Sequence, residues 1–314
     1  MPRKVLVLFL ILIIVLSITS CGLFKKQQEE PLPESEEIEE TLSNMRETVF
    51  YFSDGNDLLV PVIRNVPWVE GIGKAALECL VDNPTLRAEL SDKGLHPTLP
   101  EGTEILGMTI RDGIAKVDFN SAFLNFPSEA KEQNGVNSVV YTLTEFPAVD
   151  NVEILIDGEQ KEKCPHGTEI KETLSRENIN LETPTTAENT MPVTLYFKGS
   201  NPEGSFNYYV PITRFVPKSE NPMKTALEEL IKGPKNPVLA SAIPVDTEIL
   251  EVSQKGGEVT INFSKEVEGY GGGIDLEQTL VNTVVLTVSQ FPGVDEVSLL
   301  VEGNAGALPE GTTL

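Results

Sequence analysis

The sequence predicts an α+β protein made of two tandem ββαββαβ domains, each with its helices packed on one face of a small sheet. The first observation behind this prediction is an internal repeat, because the pattern Val-Pro-x-x-Arg-x-Val-Pro at 60–67 recurs at 210–217. The second is that segments with strand-like and helix-like apolar spacing follow each other in the same order in both copies. Matching segments over nearly all of 49–158 and 194–303 therefore indicate a tandem duplication.

Each copy begins with a predicted β-hairpin. In the first copy, apolar runs at 48–53 and 58–65 flank the turn-forming residues 54–57, a pattern typical of two antiparallel strands. Pro61 and Pro211 lie within the second run of their copies. Because proline cannot donate a hydrogen bond to a neighbouring strand, this run is predicted to be an edge strand or to contain a bulge.

Two helices are predicted in each copy. The first has apolar residues at i, i+3, i+4, i+7 and i+8 in the second copy, and these are Met223, Ala226, Leu227, Leu230 and Ile231. The second helix is less obvious, because 136–146 is rich in β-branched residues that favour strands. Its apolar residues nevertheless recur at helical intervals, and the same holds for 281–291. We therefore expect a helix that ends near Pro147 in one copy and near Pro292 in the other.

The remaining strands are predicted from turns and alternation. Runs at 105–110 and 114–119 flank Asp112 and Gly113, and the second copy has Gly256 and Gly257 at that turn. Apolar residues then alternate with polar ones in a last strand, near 152–156 and 297–301, as expected for a strand with one buried face.

The N-terminus has the features of a lipoprotein leader. A basic start precedes an apolar run at 5–18, which is too short to span a bilayer and fits a signal peptide over 1–20. Ile-Thr-Ser before Cys21 resembles a bacterial lipobox, so we expect Cys21 to be diacylated and to hold the protein on the outer face of the cytoplasmic membrane. The alternative is a plain secretory signal cleaved near Ser20. Residues 21–48 form an acidic segment that we expect to be a disordered tether.

The rest of the predicted organisation follows from the repeat. Domain 1 covers 49–158, a connector rich in Glu, Thr, Asn and Pro covers 159–193, domain 2 covers 194–303, and a tail covers 304–314. The first copy has a longer loop at 86–99 than its counterpart at 235–243.

Net charge excludes some function classes. The chain has 24 basic and 48 acidic residues, which gives a formal charge of −24. Nucleic-acid binding requires Lys and Arg to neutralise phosphates, and docking on an anionic membrane requires a basic patch. Neither partner is expected.

The residues that could support catalysis or metal binding are few and scattered. His96 and His166 have no counterpart in the other copy and no cluster of potential ligands around them, so no metal site or cofactor is predicted. No serine has the sequence context of a catalytic nucleophile. Cys79 and Cys164 could form a disulfide outside the cytoplasm or stay as free thiols. We therefore predict no catalytic residues.

Polar residues shared by the two copies are predicted to be structural. Asp118 and Asn262, with Asn120 and Ser264, end a strand and are expected to bind nearby backbone. Arg64 and Arg214 are also shared. We expect each arginine to bond Glu78 or Glu104 in copy 1 and Glu228 or Glu248 in copy 2, and the alternative is a role in an interface with a partner.

The paired Val-Pro-x-x-Arg-x-Val-Pro, Ala-Leu-Glu-x-Leu and Asn-Ser/Thr-Val-Val segments, behind a lipobox, resemble the sporulation and spore-germination lipoproteins with two GerMN domains. The resemblance covers about 49–158 and 194–303. It implies a fold similar to the ring-building motif of secretion-system and sporulation-channel proteins. It further implies a role in assembling an envelope channel between mother cell and forespore, in a Gram-positive, spore-forming bacterium, and a contribution to germination. The family provides no catalytic residue to assign here.

Two function classes other than an assembly factor stay open. A lipoprotein that binds cell-wall peptidoglycan is the alternative, although the aromatic residues that could face a sugar (Trp68, Tyr208 and Tyr209) are not matched between the copies. An enzyme is the third and least favoured class.

Overall fold

The computed structural model describes residues 45–67, 71–182 and 188–313. The predicted signal peptide, the lipobox cysteine Cys21, nearly all of the tether and Trp68 lie outside these ranges. Within them, no helix has both the length and the apolar character needed to cross a bilayer.

The described residues of the first copy form six strands, three α-helices and one 3₁₀ turn. Its elements are β1 (Met45–Asp54), β2 (Leu59–Pro67), α1 (Ile72–Glu78), α2 (Pro84–Ser91), β3 (Leu95–His96), β4 (Ile105–Arg111), β5 (Ile114–Phe119), the 3₁₀ turn Ser121–Leu124, α3 (Glu129–Leu143) and β6 (Asn151–Ile156). The strands form two sheets with the orders β2-β1-β3 and β4-β5-β6.

The second copy repeats this plan with fewer elements. They are β7 (Thr190–Ser200), β8 (Asn207–Pro217), α4 (Pro222–Ile231), β9 (Ile249–Lys255), β10 (Glu258–Phe263), the 3₁₀ turn Lys265–Gly269, α5 (Ile274–Val288) and β11 (Glu296–Val301). The strand pair β7-β8 corresponds to β1-β2, and β9-β10-β11 corresponds to β4-β5-β6. The predicted α+β fold of two tandem domains is therefore confirmed, with the strands of each copy divided between two small sheets where the sequence predicted one.

The hairpin prediction is confirmed in both copies, and an Asx side chain stabilises each turn. Asp54 Oδ1 accepts hydrogen bonds of 2.8 Å from the backbone N–H groups of Asn56 and Leu58. Asn201 Oδ1 does the same for Ser205 and Phe206. The prolines inside β2 and β8 lie on strands at the edge of their sheets, which is where a missing N–H donor is tolerated.

The helix predictions are also confirmed. All five apolar residues of α4 that share one face are buried, and the β-branched segments at 136–146 and 281–291 belong mostly to α3 and α5. The longer loop of copy 1 contains an additional helix, α2, which begins after Asn83. The Asn83 side chain accepts the N–H of Leu86 and Pro84 occupies the first turn, two features that favour a helix start.

The sheets β4-β5-β6 and β9-β10-β11 each combine one antiparallel and one parallel pair, and each has a β-bulge in its antiparallel edge strand. The register between β4 and β5 shifts between Ile105 and Gly107, so Leu106 is the extra residue. The register between β9 and β10 shifts at the corresponding place, and Leu250 is the extra residue there. The parallel partner β6 alternates half-buried and buried side chains along its length, as predicted.

The two copies form one compact unit over 45–314 and share one hydrophobic core cluster. At their junction, Asn201 Nδ2 donates to the backbone oxygen of Asp92 at 2.9 Å, and the Tyr208 hydroxyl lies 3.3 Å from Asp54 Oδ2. Gly94 permits this approach, because it has a φ of +67° and a β-carbon there would lie 2.9 Å from Asn201 Cβ.

Candidate functional site

The histidines and cysteines of the described residues form no catalytic or metal-binding cluster. His96 and His166 are exposed, and the described residues contain no group of three His, Cys, Asp or Glu side chains placed to hold a metal ion. Cys79 and Cys164 are both free thiols. Burial raises the pKa of the Cys164 thiol to about 12, so it stays protonated and weakly nucleophilic at neutral pH.

The shared polar residues at the strand ends bind backbone, as predicted. Asp118 Oδ1 accepts the N–H of Gly158, and Asn262 Oδ1 accepts that of Gly303, both at 2.8 Å. Asn120 and Ser264 in turn accept the N–H groups of Glu104 and Glu248. These pairs hold the loops next to the sheets in the same way in both copies.

The acidic partners predicted for Arg64 and Arg214 were wrong. Arg64 forms its ion pair with Glu89 of α2 at 2.7 Å and lies over the rings of Phe50 and Phe52. Glu89 belongs to the additional helix that only copy 1 has, so the repeat gave no indication of this pair. A role for Arg64 at an interface stays a prediction.

Arg214 is buried and holds the end of the connector against copy 2. Its side chain is 3% exposed, and it binds Glu182 through two nitrogens at 2.7 and 3.1 Å. It also binds Glu229 and the backbone oxygen of Gly233. Burial alone would raise the pKa of Glu182, but the hydrogen bonds from Arg214 and from the backbone N–H of Lys235 lower it. An interface role for Arg214 likewise stays a prediction.

Asn180 of the connector joins the edge strands of the two hairpins. Its Oδ1 accepts the N–H of Leu59 in β2, and its Nδ2 donates to the backbone oxygens of Leu59 and of Pro211 in β8, all at 2.8 Å. The neighbouring connector residues pair with β8, because Thr213 exchanges backbone hydrogen bonds with Ile179 and Glu182. The two edge strands are therefore linked through the side chain of one asparagine and not through a backbone hydrogen-bond ladder.

Arg176 fixes the preceding part of the connector on copy 1. Its guanidinium lies 4.9 Å from the ring centre of Tyr141, donates to the Thr144 hydroxyl at 2.8 Å and forms an ion pair with Glu145. Tyr51 donates its hydroxyl to the same carboxylate at 2.8 Å. Burial raises the pKa of Tyr51 well above its usual value, so this hydroxyl stays a donor.

A buried glutamate at the start of the long helix holds the loop that follows the last strand of each copy. In α3, the carboxylate of Glu132 accepts the N–H groups of His166 and Thr168 at 2.8 and 3.0 Å. In α5, Glu277 accepts those of Glu310 and Thr312, both at 2.7 Å. The two loops have the sequences Cys-Pro-His-Gly-Thr at 164–168 and Leu-Pro-Glu-Gly-Thr at 308–312. The similarity of these two loop sequences was the sequence signal for the equivalent roles of Glu132 and Glu277. The loops lie in the segments that the sequence analysis assigned to the connector and the tail.

These carboxylates are held ionised. For Glu132, burial alone would raise the pKa, but the N–H groups of His166 and Thr168 outweigh it and the pKa is lowered. For Glu277, burial likewise raises the pKa, but hydrogen bonds from Thr312, Tyr270 and Glu310 outweigh it and lower the pKa to about 2. Their fixed partners identify both as structural groups.

A groove lined by amides lies between α3, the connector and copy 2. It has a volume of about 610 Å³ and continues along α3 into a second groove of about 790 Å³. Two charged groups of the lining are neutralised within the chain, since Asp57 pairs with Lys131 and Glu182 with Arg214. The amide side chains of the first groove are Gln133, Asn134, Asn137, Asn178, Asn180 and Asn236.

The bulged leucines are the exposed apolar residues that the two copies share. Leu106 is 52% exposed and Leu250 is 46% exposed, and each is the extra residue of a β-bulge in an edge strand. Bulges often redirect a side chain at a sheet edge. The repeated Thr-Glu-Ile-Leu segments at 103–106 and 247–250 contained this feature, but the sequence did not indicate that the leucine points to solvent.

The fold and these contacts define a two-module α+β protein, in which the connector holds the duplicated domains together in one compact unit. The chain belongs to the family described as Germane, sporulation and spore germination, whose model matches residues 49–162 and 194–307. It is 32% identical over 295 residues to the spore germination protein GerM of Bacillus subtilis (strain 168), a match that covers 91% of this chain and 79% of that protein.

A solved structure supports the same assignment. The tandem GerMN domains of the sporulation protein GerM from Bacillus subtilis match with a TM-score of 0.75 and 31% identity, over 85% of this chain and 95% of that one. The predicted membership of the tandem GerMN family is therefore confirmed. None of these relatives carries the name of an enzyme.

Proposed function

We propose that this protein acts in sporulation and germination as a non-enzymatic, lipid-anchored factor that assembles or stabilises an envelope channel complex between mother cell and forespore. Family membership and the likeness to GerM support the general role in sporulation and germination. The proposed partners are protein components of that complex.

The observation that carries the assembly role is a pair of equivalent exposed leucines on one rigid body. Leu106 and Leu250 project from matching bulges of two sheets, and the connector ties the two modules together through Asn180 and Arg214. A rigid body that displays the same apolar side chain twice can hold two partner surfaces at a fixed spacing. Exposed apolar side chains of this kind commonly mark protein interfaces.

The assembly role is tested in a spore-forming host by deletion and capture. We expect the deletion strain to form fewer heat-resistant spores, and we expect tagged protein from sporulating cells to recover a channel component after cross-linking. Normal spore yield together with no recovered channel component would refute the proposal.

The lipid anchor is a separate part of the proposal and has its own test. Cys21 is expected to be acylated and to place the body on the outer face of the cytoplasmic membrane. The wild-type protein should incorporate labelled palmitate and fractionate with membranes, and Cys21→Ala should do neither. A Cys21→Ala variant that retains both properties would contradict the anchor without affecting the assembly role.

Peptidoglycan binding is the second candidate, and the groove lined by amides favours it. Asn137 and Gln133 line both grooves, and neutral amides suit the hydroxyl and amide groups of a glycan or its peptide. Tyr208 does not serve as a stacking platform because it is 7% exposed. Sedimentation with purified peptidoglycan tests this function: binding that is lost in a Gln133→Ala, Asn137→Ala double variant would support it, and no sedimentation of the wild-type protein would exclude it.

A further inference from the structure

The two copies differ in what covers the outer edge of their parallel strand pair. In copy 1, the connector adds to the edge of β6: Val152 and Leu174 exchange two backbone hydrogen bonds of 2.8 Å in an antiparallel bridge. The Leu174 side chain packs on the core and lines the same groove as Val136 and Val140 of α3. The connector thus binds copy 1 as an extended segment, with Leu174 as the aliphatic anchor at the bridge and Ile170 buried in the same core.

The matching surface of copy 2 is not covered by any residue that the structure describes. No described residue pairs with the outer edge of β11 at Val297, although its N–H and C=O occupy the positions of those of Val152. The apolar residues behind this edge are also more exposed than their counterparts. In copy 1, Val136, Val140, Phe146 and Val152 are all buried. In copy 2, Val281, Val285, Phe291 and Val297 are all only half-buried.

The charge around the open edge indicates the chemistry of its occupant. Asp295 and Glu296 directly precede Val297, and Glu258 lies beside Glu296 on β10. All three are exposed, and none of them forms a salt bridge with a described residue. An unpaired acidic rim of this kind favours a segment with basic residues.

We propose that the outer edge of β11 and the adjoining face of α5 bind an extended segment of a partner protein, with one aliphatic side chain in the position that Leu174 takes in copy 1 and with Lys or Arg beside it. An exposed edge strand binds such segments by continuing its hydrogen-bond ladder, while a pocket for one side chain provides specificity. The inference rests on the proposed function in one respect, namely that the occupant belongs to another protein.

The charge also argues against two other occupants. The part of the tether at 22–44 is rich in glutamate and carries few basic residues, so it would meet an acidic rim with like charge. A second copy of this chain is disfavoured for the same reason, since its formal charge is −24. Like charges placed against each other cost affinity.

The connector itself provides the probe. A capped peptide with the sequence of residues 170–177 and with Glu172→Gln and Glu177→Gln contains the aliphatic anchor Leu174 between Lys171 and Arg176 and is net basic. In copy 1 the same segment is covalently attached, so its effective concentration is in the millimolar range and it outcompetes added peptide. Added peptide is therefore directed to copy 2.

The measurement is methyl NMR of the protein with labelled valine side chains. We expect saturable shifts at the copy 2 valines and unchanged signals at the matched copy 1 valines. The shifting set is Val281, Val285 and Val297, and the unchanged set is Val136, Val140 and Val152.

Two substitutions identify the mode of binding. Val297→Pro removes the outward N–H from an edge position where proline is tolerated, and it should weaken binding at least tenfold while the urea midpoint stays near that of the wild type. A peptide with Leu174→Asp should lose binding to the same extent. Leu250→Ala, at the opposite edge of the same sheet, is the matched control and should bind the peptide as the wild type does.

Several results would overturn the inference. Binding at this edge would be refuted by the absence of saturable shifts in copy 2, by equal binding of the Leu174→Asp peptide, or by full binding to a folded Val297→Pro variant. The choice of occupant would be refuted by tighter binding of a peptide with the sequence of the tether, or by concentration-dependent dimerisation through the same valines. In cells, a deletion strain with normal spores would refute the proposed function. A defective deletion strain that Val297→Pro restores fully would instead refute only this docking site.

Discussion

Asn180 is predicted to contribute substantially to the free energy of unfolding, because its side chain joins both copies through the connector. Asn180→Ala removes three hydrogen bonds of 2.8 Å and leaves the backbone N–H and C=O of the fully buried Leu59 without a side-chain partner. An unsatisfied buried group costs about 1–3 kcal/mol. The amide groove lies directly beside Asn180, so water can replace part of the loss and the lower value applies. The three bonds then contribute about 3 kcal/mol.

The backbone adds a second cost. Asn180 has a φ of +47°, and alanine in this left-handed conformation costs about 1 kcal/mol more than asparagine. The expected destabilisation of Asn180→Ala is therefore about 4 kcal/mol. Asn178 provides the matched control, because it has a φ of +54° and is exposed. Asn178→Ala should lose about 1 kcal/mol, the backbone cost alone.

Urea unfolding of the body formed by 45–314 measures both variants, with limited proteolysis of the connector as a second readout. The difference between the two variants should be about 3 kcal/mol, and the connector of Asn180→Ala should be cut faster. If the two variants are equally stable and equally resistant to protease, the reasoning is refuted, because the bonds of Asn180 would then contribute no net stability.

Three further predictions concern other parts of the body. Because the pKa of Glu132 is lowered in the folded state, its contribution to stability is complete above the ordinary glutamate pKa of about 4.3 and is lost as the pH falls below it. Glu132→Gln should accordingly lower the urea midpoint at neutral pH and reduce its fall on acidification. Leu106→Glu combined with Leu250→Glu should change stability by less than about 0.5 kcal/mol per site yet lower the yield of heat-resistant spores; a normal yield would contradict the role of the leucines. Gly135→Ala, a change that usually favours a helix, should instead cost about 1–3 kcal/mol, because the new methyl would lie 2.2 Å from Phe126 Cε1; a rise in melting temperature would contradict this packing.

The sequence predicted the repeated elements well because each one carries a local signal. Each of these signals lies within a few residues of sequence: the turn at Asp54, the apolar helix face that includes Met223, and the alternation around Val152. The duplication provided every signal twice. The helix α2 was not predicted although Asn83 and Pro84 form a helix-start signal, because copy 2 has no equivalent helix and the repeat therefore indicates only a longer loop.

The connector contacts were not predictable in the same way. Asn180 contacts Leu59 across 121 positions of sequence, and nothing near Asn180 indicates that partner. The polar composition of 159–193 suggested a linker, whereas its residues bind a helix, two hairpins and a sheet edge. The contact of Glu132 is the exception, because its sequence signal is repeated: the loops at 164–168 and 308–312 match, and so do the glutamates that hold them. Both loops lie just beyond the repeat bounds of 49–158 and 194–303.

The difference between the copies is informative because a duplication starts with two equal surfaces. Both copies retain the buried glutamate, the strand-end caps and the bulged leucine, so these features serve each module by itself. The edge of β6 differs from that of β11, because the connector that links the modules fills the first edge with Leu174, whereas no described residue pairs with the second at Val297. The segment that makes the pair rigid is therefore also the segment that removes one of two equivalent docking sites. If that reasoning is correct, the protein is asymmetric in function although it is nearly symmetric in fold. Its described residues present two equivalent leucines, whereas of the two parallel edge strands, β6 and β11, only β11 has no pairing segment on its outer side. Only the partner at copy 2 is then held by backbone hydrogen bonds to such a strand.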